Sequence, residues 1–120
     1  TNYPPKVKVP KGIDWDAWQG PVDKDVGYSD DLHPFTWRAW WDFGCGGLGD
    51  IGCHTIDTPY WALDLGYPSR IDVNVERVDP LVTPNGSIVS YEFPKRGSQP
   101  PVRLPSTAPR LYVAGLPEES

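Results

Sequence analysis

The segment GGLGDIGCHTIDTPYWALDLG, residues 46–66, holds the best helix candidate in the chain. An α-helix turns through about 100° per residue, and this spacing brings four apolar side chains onto one arc: Cys53, Ile56, Tyr60 and Leu63. Gly66 provides a C-terminal stop. The spacing therefore predicts a helix from Asp50 to about Leu65, and we expect Pro59 to kink it or divide it in two.

An alternating pattern replaces the helical one after this segment. In SRIDVNVERV, residues 69–78, every second residue is apolar over Ile71, Val73 and Val75, which predicts a half-buried strand. Three further strands are predicted in SIVSYEF, PVRL and RLYVAG, at 87–93, 101–104 and 110–115. A helix followed by antiparallel strands predicts the α+β class, with a mostly antiparallel sheet that has one face covered by helix.

Length and charge limit what this chain can be. Its 120 residues predict a single domain, 1–120, with residues 1–35 as an extended lead-in that contains one helical turn capped by Asp14. The net charge is −5 and no cluster of Lys or Arg occurs, which argues against nucleic acid as a partner. No apolar run approaches the roughly 20 residues that span a bilayer, so we expect no membrane partner either.

The predicted helix also carries a polar arc beside the apolar one: Asp50, His54, Asp57, Trp61 and Asp64. Free N–H groups at a helix start stabilise an aspartate, and a histidine one turn later can transfer a proton near neutral pH. Asp50 and His54 can therefore form a proton-transfer pair, and the glycines before them would let a substrate or cofactor approach the backbone closely: Gly46, Gly47 and Gly49. The same residues also fit a capping aspartate followed by a partly exposed histidine.

A metal site is a third interpretation of this arc, with Asp50, His54 and Asp57 as ligands and Cys53 adjacent. The chain lacks the clustered Cys and His pairs that are typical of structural zinc, so we expect no metal. The two cysteines, Cys45 and Cys53, are expected to be small buried thiols beside the glycines.

An aromatic segment, FTWRAWWDFG at 35–44, comes directly before the glycines. It can form a hydrophobic plug against the following helix. Alternatively, Trp37, Arg38 or Trp40 can line a pocket in which flat rings stack on a sugar or on a cofactor ring. These three residues are therefore substrate-binding candidates.

Two tryptophan-rich segments carry a resemblance to a known family: GIDWDAWQGP at 12–21 and LHPFTWRAWWDFGCGGLGDIGCHTIDTPYWALDLGYP at 32–68. They resemble the Gfo/Idh/MocA oxidoreductases, and most closely a bacterial, tryptophan-rich branch of them. The resemblance covers residues 1 to about 104 and only the C-terminal domain, which in glucose-fructose oxidoreductase-type dehydrogenases is α+β and shapes substrate binding and oligomerisation. Cys45 stands where the family usually has glycine, and residues 105–120 form a divergent tail.

The resemblance implies roles for two residues of the polar arc. Asp50 and His54 match the family's Asp-x3-His element, in which the histidine is commonly the general acid/base on a sugar or polyol hydroxyl and the aspartate orients the substrate. The relatives bind NAD or NADP in a separate Rossmann domain, which also supplies a catalytic lysine from a Glu-Lys-Pro element. This sequence shows neither that element nor a glycine-rich dinucleotide loop after a strand, so we expect no cofactor bound to this chain alone and no turnover by it.

Two other functions remain open at this point. The chain can be a non-enzymatic orphan domain for oligomerisation or carbohydrate binding, or part of an NAD-dependent glycosidase of the same superfamily. An uncovered sheet face would form a large apolar patch, which usually finds a partner. We therefore expect a homo-oligomer, a dimer through the sheet.

Overall fold

The structure is a computed structural model, and it describes residues 2–108. It contains two α-helices, one 3₁₀ turn and three strands, which confirms the α+β class: α1 (Trp15–Gln19), the 3₁₀ turn (Thr36–Ala39), α2 (Gly46–Ala62), β1 (Arg70–Val75), β2 (Ser87–Phe93) and β3 (Val102–Ala108). The predicted cap of α1 is present, since the Asp14 carboxylate accepts a hydrogen bond of 3.0 Å from the Ala17 N–H. Within the described range no helix is long and apolar enough to cross a membrane.

Helix α2 begins four residues earlier than predicted and runs without interruption to Ala62. Its first residue, Gly46, has a φ of 69°, which a glycine adopts at no steric cost, so the glycines start the helix instead of preceding it. Pro59 lies inside the helix and does not divide it. Only three residues of α2 follow the proline. The one hydrogen bond that it cannot donate, to the carbonyl four residues earlier, therefore lies in the last two turns of the helix.

The three strands form one antiparallel sheet in the order β1-β2-β3. Strand β2 has the predicted bounds, whereas β3 continues past residue 104 to Ala108. The predicted fourth strand, at 110–115, lies outside the described residues. Opposed residues share a face, so the pairs of the register place these apolar side chains together on one face: Ile71, Val73, Val89, Tyr91, Phe93 and Leu104.

Helix α2 covers only part of this apolar face. It contacts β3, and Tyr60 packs edge-on against the buried Phe93 with ring centroids 6.3 Å apart. Ile71 and Val73 of β1 are 53% and 62% exposed. The prediction of a half-buried β1 was therefore wrong at these positions, because α2 lies over the other two strands and leaves the β1 end of the same face uncovered.

The best-buried cluster lies outside the sheet. Trp40 stacks on Tyr3 at 4.7 Å, with a ring angle of 19°, and is surrounded by residues of the lead-in and of the β1–β2 connection: Val26, Leu32, Ala39 and Val82. The lead-in is thus part of the hydrophobic core. Fully buried aromatic rings contribute the largest hydrophobic term per residue, so this cluster anchors the aromatic segment beneath α2.

A buried aspartate shapes the β1–β2 connection. Asp79 is 6% exposed, and its Oδ1 accepts hydrogen bonds from the backbone N–H groups of Leu81 and Val82, at 2.8 and 3.2 Å. The Arg77 guanidinium pairs with the same carboxylate at 2.9 Å. This turn brings Val82 against Trp40, where the two residues form an isolated antiparallel bridge.

We predict that Gly46→Ala lowers the free energy of unfolding by about 1–3 kcal/mol, because alanine disfavours a positive φ and its Cβ would lie 2.7 Å from Thr83 Cβ. Gly66→Ala is the matched control, since a Cβ there meets no heavy atom within 4 Å. Urea unfolding followed by circular dichroism measures both. Equal midpoints for the two variants would contradict the account of how α2 begins.

A second prediction concerns acid stability. Asp42 accepts hydrogen bonds from Lys24, at 2.8 Å, and from the Tyr3 hydroxyl, and these two bonds hold the pKa of Asp42 below its usual value. A carboxyl whose folded-state pKa is lowered stabilises the fold above its unfolded pKa of about 4 and loses that contribution as the pH falls further. We therefore expect the melting temperature of the parent chain to fall more steeply below about pH 4 than that of Asp42→Asn. Parallel slopes would contradict this.

Candidate active site

Helix α2 carries both residues of the predicted proton-transfer pair. Asp50 is the fifth residue of the helix and no acidic residue lies in the first turn, so the interpretation of Asp50 as the helix cap was wrong. Cys45 occupies the capping position and its side chain makes no capping hydrogen bond. Since the field of a helix end fades beyond its first turn, Asp50 takes its charge partner from elsewhere in the chain.

That partner is Arg38. The Arg38 Nε lies 3.3 Å from Asp50 Oδ2, with the two side chains 25% and 37% exposed. The guanidinium lies over the rings of Phe35 and Trp37, at 4.5 and 4.3 Å from their centroids, and its Nη1 donates to the Phe35 carbonyl at 3.2 Å. Stacking and the bond to the Phe35 carbonyl thus fix the planar guanidinium, and its Nε faces the Asp50 carboxylate as an ion pair without a hydrogen bond.

Histidine 54 lies one helical turn after Asp50 and is exposed. Within residues 2–108 its imidazole makes no hydrogen bond or ion pair, so no described side chain competes with a ligand for its ring nitrogens. Asp57 and Trp61 follow on the same side of α2, and Trp61 is 85% exposed. The polar arc is therefore an open surface with a carboxylate held at one end and an aromatic ring at the other.

The three substrate-binding candidates of the aromatic segment lie in different surroundings. Arg38 reaches Asp50, and Trp37 lies beside it, half-buried, with its indole N–H donating to the Pro34 carbonyl at 3.2 Å. Trp40 is 1% exposed in the core and cannot touch a ligand in this structure. The pocket interpretation thus keeps Trp37 and Arg38, whereas Trp40 is part of the hydrophobic plug.

The glycines at the start of α2 pack against other residues of the chain. Gly46 and Gly47 are buried, Thr83 packs against Gly46, and the Cys45 side chain fills the space beside Gly49. The expectation that these glycines receive a substrate was therefore wrong for the buried pair. The same packing closes the N-terminus of α2, which does not fit the pyrophosphate of a dinucleotide.

The two cysteines are exposed free thiols, so the expectation of buried thiols was wrong. Cys53 lines a cavity of about 360 Å³ between α2 and β2, whose other walls are mainly apolar side chains. Tyr91 forms the strand side of this cavity and Asp57 lies at its border, next to the polar arc. The apolar arc of α2 pointed to this packing face, but the spacing alone gave no sign that a cavity would remain there.

No group of three or more His, Cys, Asp or Glu side chains between residues 2 and 108 could hold a metal ion. Asp50, His54 and Asp57 therefore do not converge as ligands, and the third interpretation of the polar arc has no geometric support.

The chain matches the model of a known protein family. The family model described as the C-terminal alpha/beta domain of an oxidoreductase family, GFO_IDH_MocA_C2, matches residues 1–90. The matched range contains the lead-in, the aromatic segment, all of α2 and β1, and therefore both Arg38 and the Asp50–His54 pair. A search of curated proteins finds no match to the chain.

Proposed function

The chain belongs to the Gfo/Idh/MocA oxidoreductase family as its C-terminal α/β domain, and we propose that it is the substrate-binding and proton-transfer half of an NAD(P)-dependent oxidoreductase acting on a sugar or polyol hydroxyl. One observation carries the proposal: Arg38 forms an ion pair with Asp50 at 3.3 Å, one turn before an exposed histidine with no partner in the described residues. A charge-paired carboxylate one turn from an available imidazole is an arrangement suited to general acid–base catalysis on a hydroxyl.

The proposed roles follow from what each group can do. Oxidation of a secondary alcohol removes a proton from the hydroxyl oxygen and a hydride from the carbon that carries this hydroxyl. Neutral His54 accepts the hydroxyl proton and returns it in the reverse reaction. Asp50 accepts hydrogen bonds from neighbouring hydroxyls and so orients the sugar, while Arg38 keeps the carboxylate in one position. Trp37, which stacks on Arg38, offers the edge of a ring to the apolar face of the sugar.

The N-terminus of α2 does not fit a dinucleotide, because Thr83 packs against Gly46 and the first two glycines of the helix are buried. NAD(P), which supplies the hydride acceptor when bound, would be held by a separate Rossmann domain as in the relatives.

The test is to fuse the chain to the Rossmann domain of a full-length family member and to assay NAD(P)-dependent oxidation of a panel of sugars and polyols. We expect activity from the fusion and none from either part alone. A fusion that is folded and binds NAD(P)H by fluorescence titration, yet oxidises no member of the panel, would contradict the proposal.

The same fusion tests the role of Arg38. Arg38→Gln should reduce kcat by up to about 10²-fold, because Asp50 loses the group that fixes it. Arg38→Lys should restore little of this activity, since an ammonium cannot stack on Phe35 and Trp37 as a planar guanidinium does. Because a mainly solvated ion pair contributes at most about 1 kcal/mol, both variants should melt close to the parent. Full rescue by lysine would show that charge alone matters at this position.

A second candidate function is association through the sheet, with or without carbohydrate binding. The observation that favours it is the exposed apolar side of β1, where Ile71 and Val73 are 53% and 62% exposed. We propose that the chain forms a homodimer through the sheet, which is compatible with either function. Multi-angle light scattering at micromolar concentration should give the mass of a dimer, and a monomer would contradict this part of the proposal.

A further inference from the structure

Strand β1 is an edge strand within residues 2–108, since it pairs only with β2. The Glu76 N–H donates to the Gly86 carbonyl at 3.3 Å, in the same register as the pairs of the strand. In an antiparallel ladder every second residue directs its N–H and C=O to one neighbour. The even-numbered residues of β1 therefore face β2, and the backbone N–H and C=O groups of the odd-numbered residues point outward: Ile71, Val73 and Val75.

The side chains of β1 also alternate between odd-numbered and even-numbered residues. The odd-numbered residues are apolar and lie on the face that α2 covers over the other strands but leaves open at β1, whereas the even-numbered residues are polar and lie on the opposite face: Arg70, Asp72 and Asn74. An edge with outward hydrogen-bonding groups and exposed apolar side chains is a template for another strand. A second copy of β1 has the matching pattern.

Charge and face select one register for such a pair. The apolar faces of two copies lie on the same side only if odd residues oppose odd residues. Centring the pair on Asp72 would oppose two aspartates, and centring it on Asn74 would oppose Asp72 and Glu76, which are like charges. Centring it on Val73 opposes Asp72 with Asn74 and Arg70 with Glu76, which are favourable pairs. Registers centred on Ile71 or Val75 pair fewer residues of the strand.

We propose that two copies of the chain join β1 to β1, antiparallel and centred on Val73, to form one continuous sheet that contains the three described strands of each copy. Val73 opposes Val73, Ile71 opposes Val75, and these pairs exchange N–H···O=C hydrogen bonds across the twofold axis. Arg70, which already bonds Asp72 of its own copy at 2.8 Å and lies opposite Glu92, gains the carboxylate of Glu76 from the other copy as a further acidic neighbour. This inference deepens the homodimer proposed above and rests on it, but it does not depend on the oxidoreductase activity.

Disulfide trapping tests the register directly. In a background with Cys45→Ser and Cys53→Ser, the Val73→Cys chain should form a covalent dimer on mild oxidation. Opposed Cα atoms in a hydrogen-bonded pair lie about 5.5 Å apart, within the range of about 4.4–6.8 Å that a disulfide needs. Ile71→Cys alone should not cross-link, whereas an equal mixture of Ile71→Cys and Val75→Cys chains should give the mixed dimer. Cross-linking of Ile71→Cys with itself would overturn the register.

A proline variant tests the hydrogen bonds. Val73→Pro removes an outward N–H and leaves the ladder with β2 intact, so the chain should stay folded by circular dichroism and become monomeric by light scattering. Val73→Thr, which keeps the N–H, is the matched control and should stay dimeric. A dimeric parent that Val73→Cys does not trap would overturn edge pairing while leaving a face-to-face dimer in place. A monomeric parent would overturn both dimer proposals, and neither result would bear on the activity of the fusion.

Discussion

His54→Ala in the fused enzyme should lower kcat by about 10²–10⁴-fold, which is the usual contribution of a positioned general acid or base. The loss should appear equally in kcat and in kcat/KM, because proton transfer stabilises the transition state and not the bound substrate. Steady-state assays with the best substrate of the panel measure both constants. An undiminished kcat would remove His54 from the chemistry.

The structure makes this variant easy to interpret. His54 is exposed and makes no polar contact within the described residues, so its replacement should change the free energy of unfolding by no more than about 0.5 kcal/mol. Thr58→Ala is a matched control, because Thr58 is exposed one turn further along the same helix. It should keep nearly full activity. Equal losses in the two variants would indicate general damage to α2 and would contradict a specific role for the imidazole.

The second large effect is expected in the core. Trp40→Ala should lower the free energy of unfolding by about 3–5 kcal/mol, because it removes a fully buried ring and leaves a cavity beneath the aromatic segment. Trp40 is 1% exposed and stacks on Tyr3 at 4.7 Å, so both burial and ring contact are lost. Domains of this size have a total stability of about 5–15 kcal/mol, so the variant should be close to unfolding.

Another tryptophan of the same chain provides the control. Trp61 is 85% exposed on α2, and Trp61→Ala should shift the stability by no more than about 0.5 kcal/mol. Urea unfolding followed by circular dichroism compares the two variants without relying on tryptophan fluorescence. Similar midpoints for both would contradict the central place of Trp40 in the core.

Local sequence patterns predicted the elements well where a single period dominates. The alternation in residues 87–93 gave β2 with its observed bounds, because hydrophobic period and strand geometry agree there. The predicted start of α2 was four residues too late, because the apolar spacing that defines the helix does not extend into the glycines. Gly46 begins the helix with a positive φ and packs against Thr83, which lies far along the chain. Such long-range packing leaves no local signal.

The candidate site was only partly predictable for the same reason. Helical spacing placed Asp50 and His54 one turn apart, and the structure keeps them so. The pairing of Arg38 with Asp50 depends on a 3₁₀ turn that aims a side chain across the glycine segment, which no spacing rule foresees. The exposure of Val73 likewise depends on where α2 lies over the sheet, and not on the pattern of β1 itself.

A crystal structure of the fused enzyme with its substrate and NAD(P)H bound would show directly whether His54 is the general acid/base. We expect the reacting hydroxyl oxygen to lie about 2.6–3.2 Å from a ring nitrogen of His54, the reach of a hydrogen bond that transfers a proton. Asp50 should contact a neighbouring hydroxyl while it remains paired with Arg38. A substrate whose reacting hydroxyl is held by other side chains, with His54 turned to solvent, would contradict it.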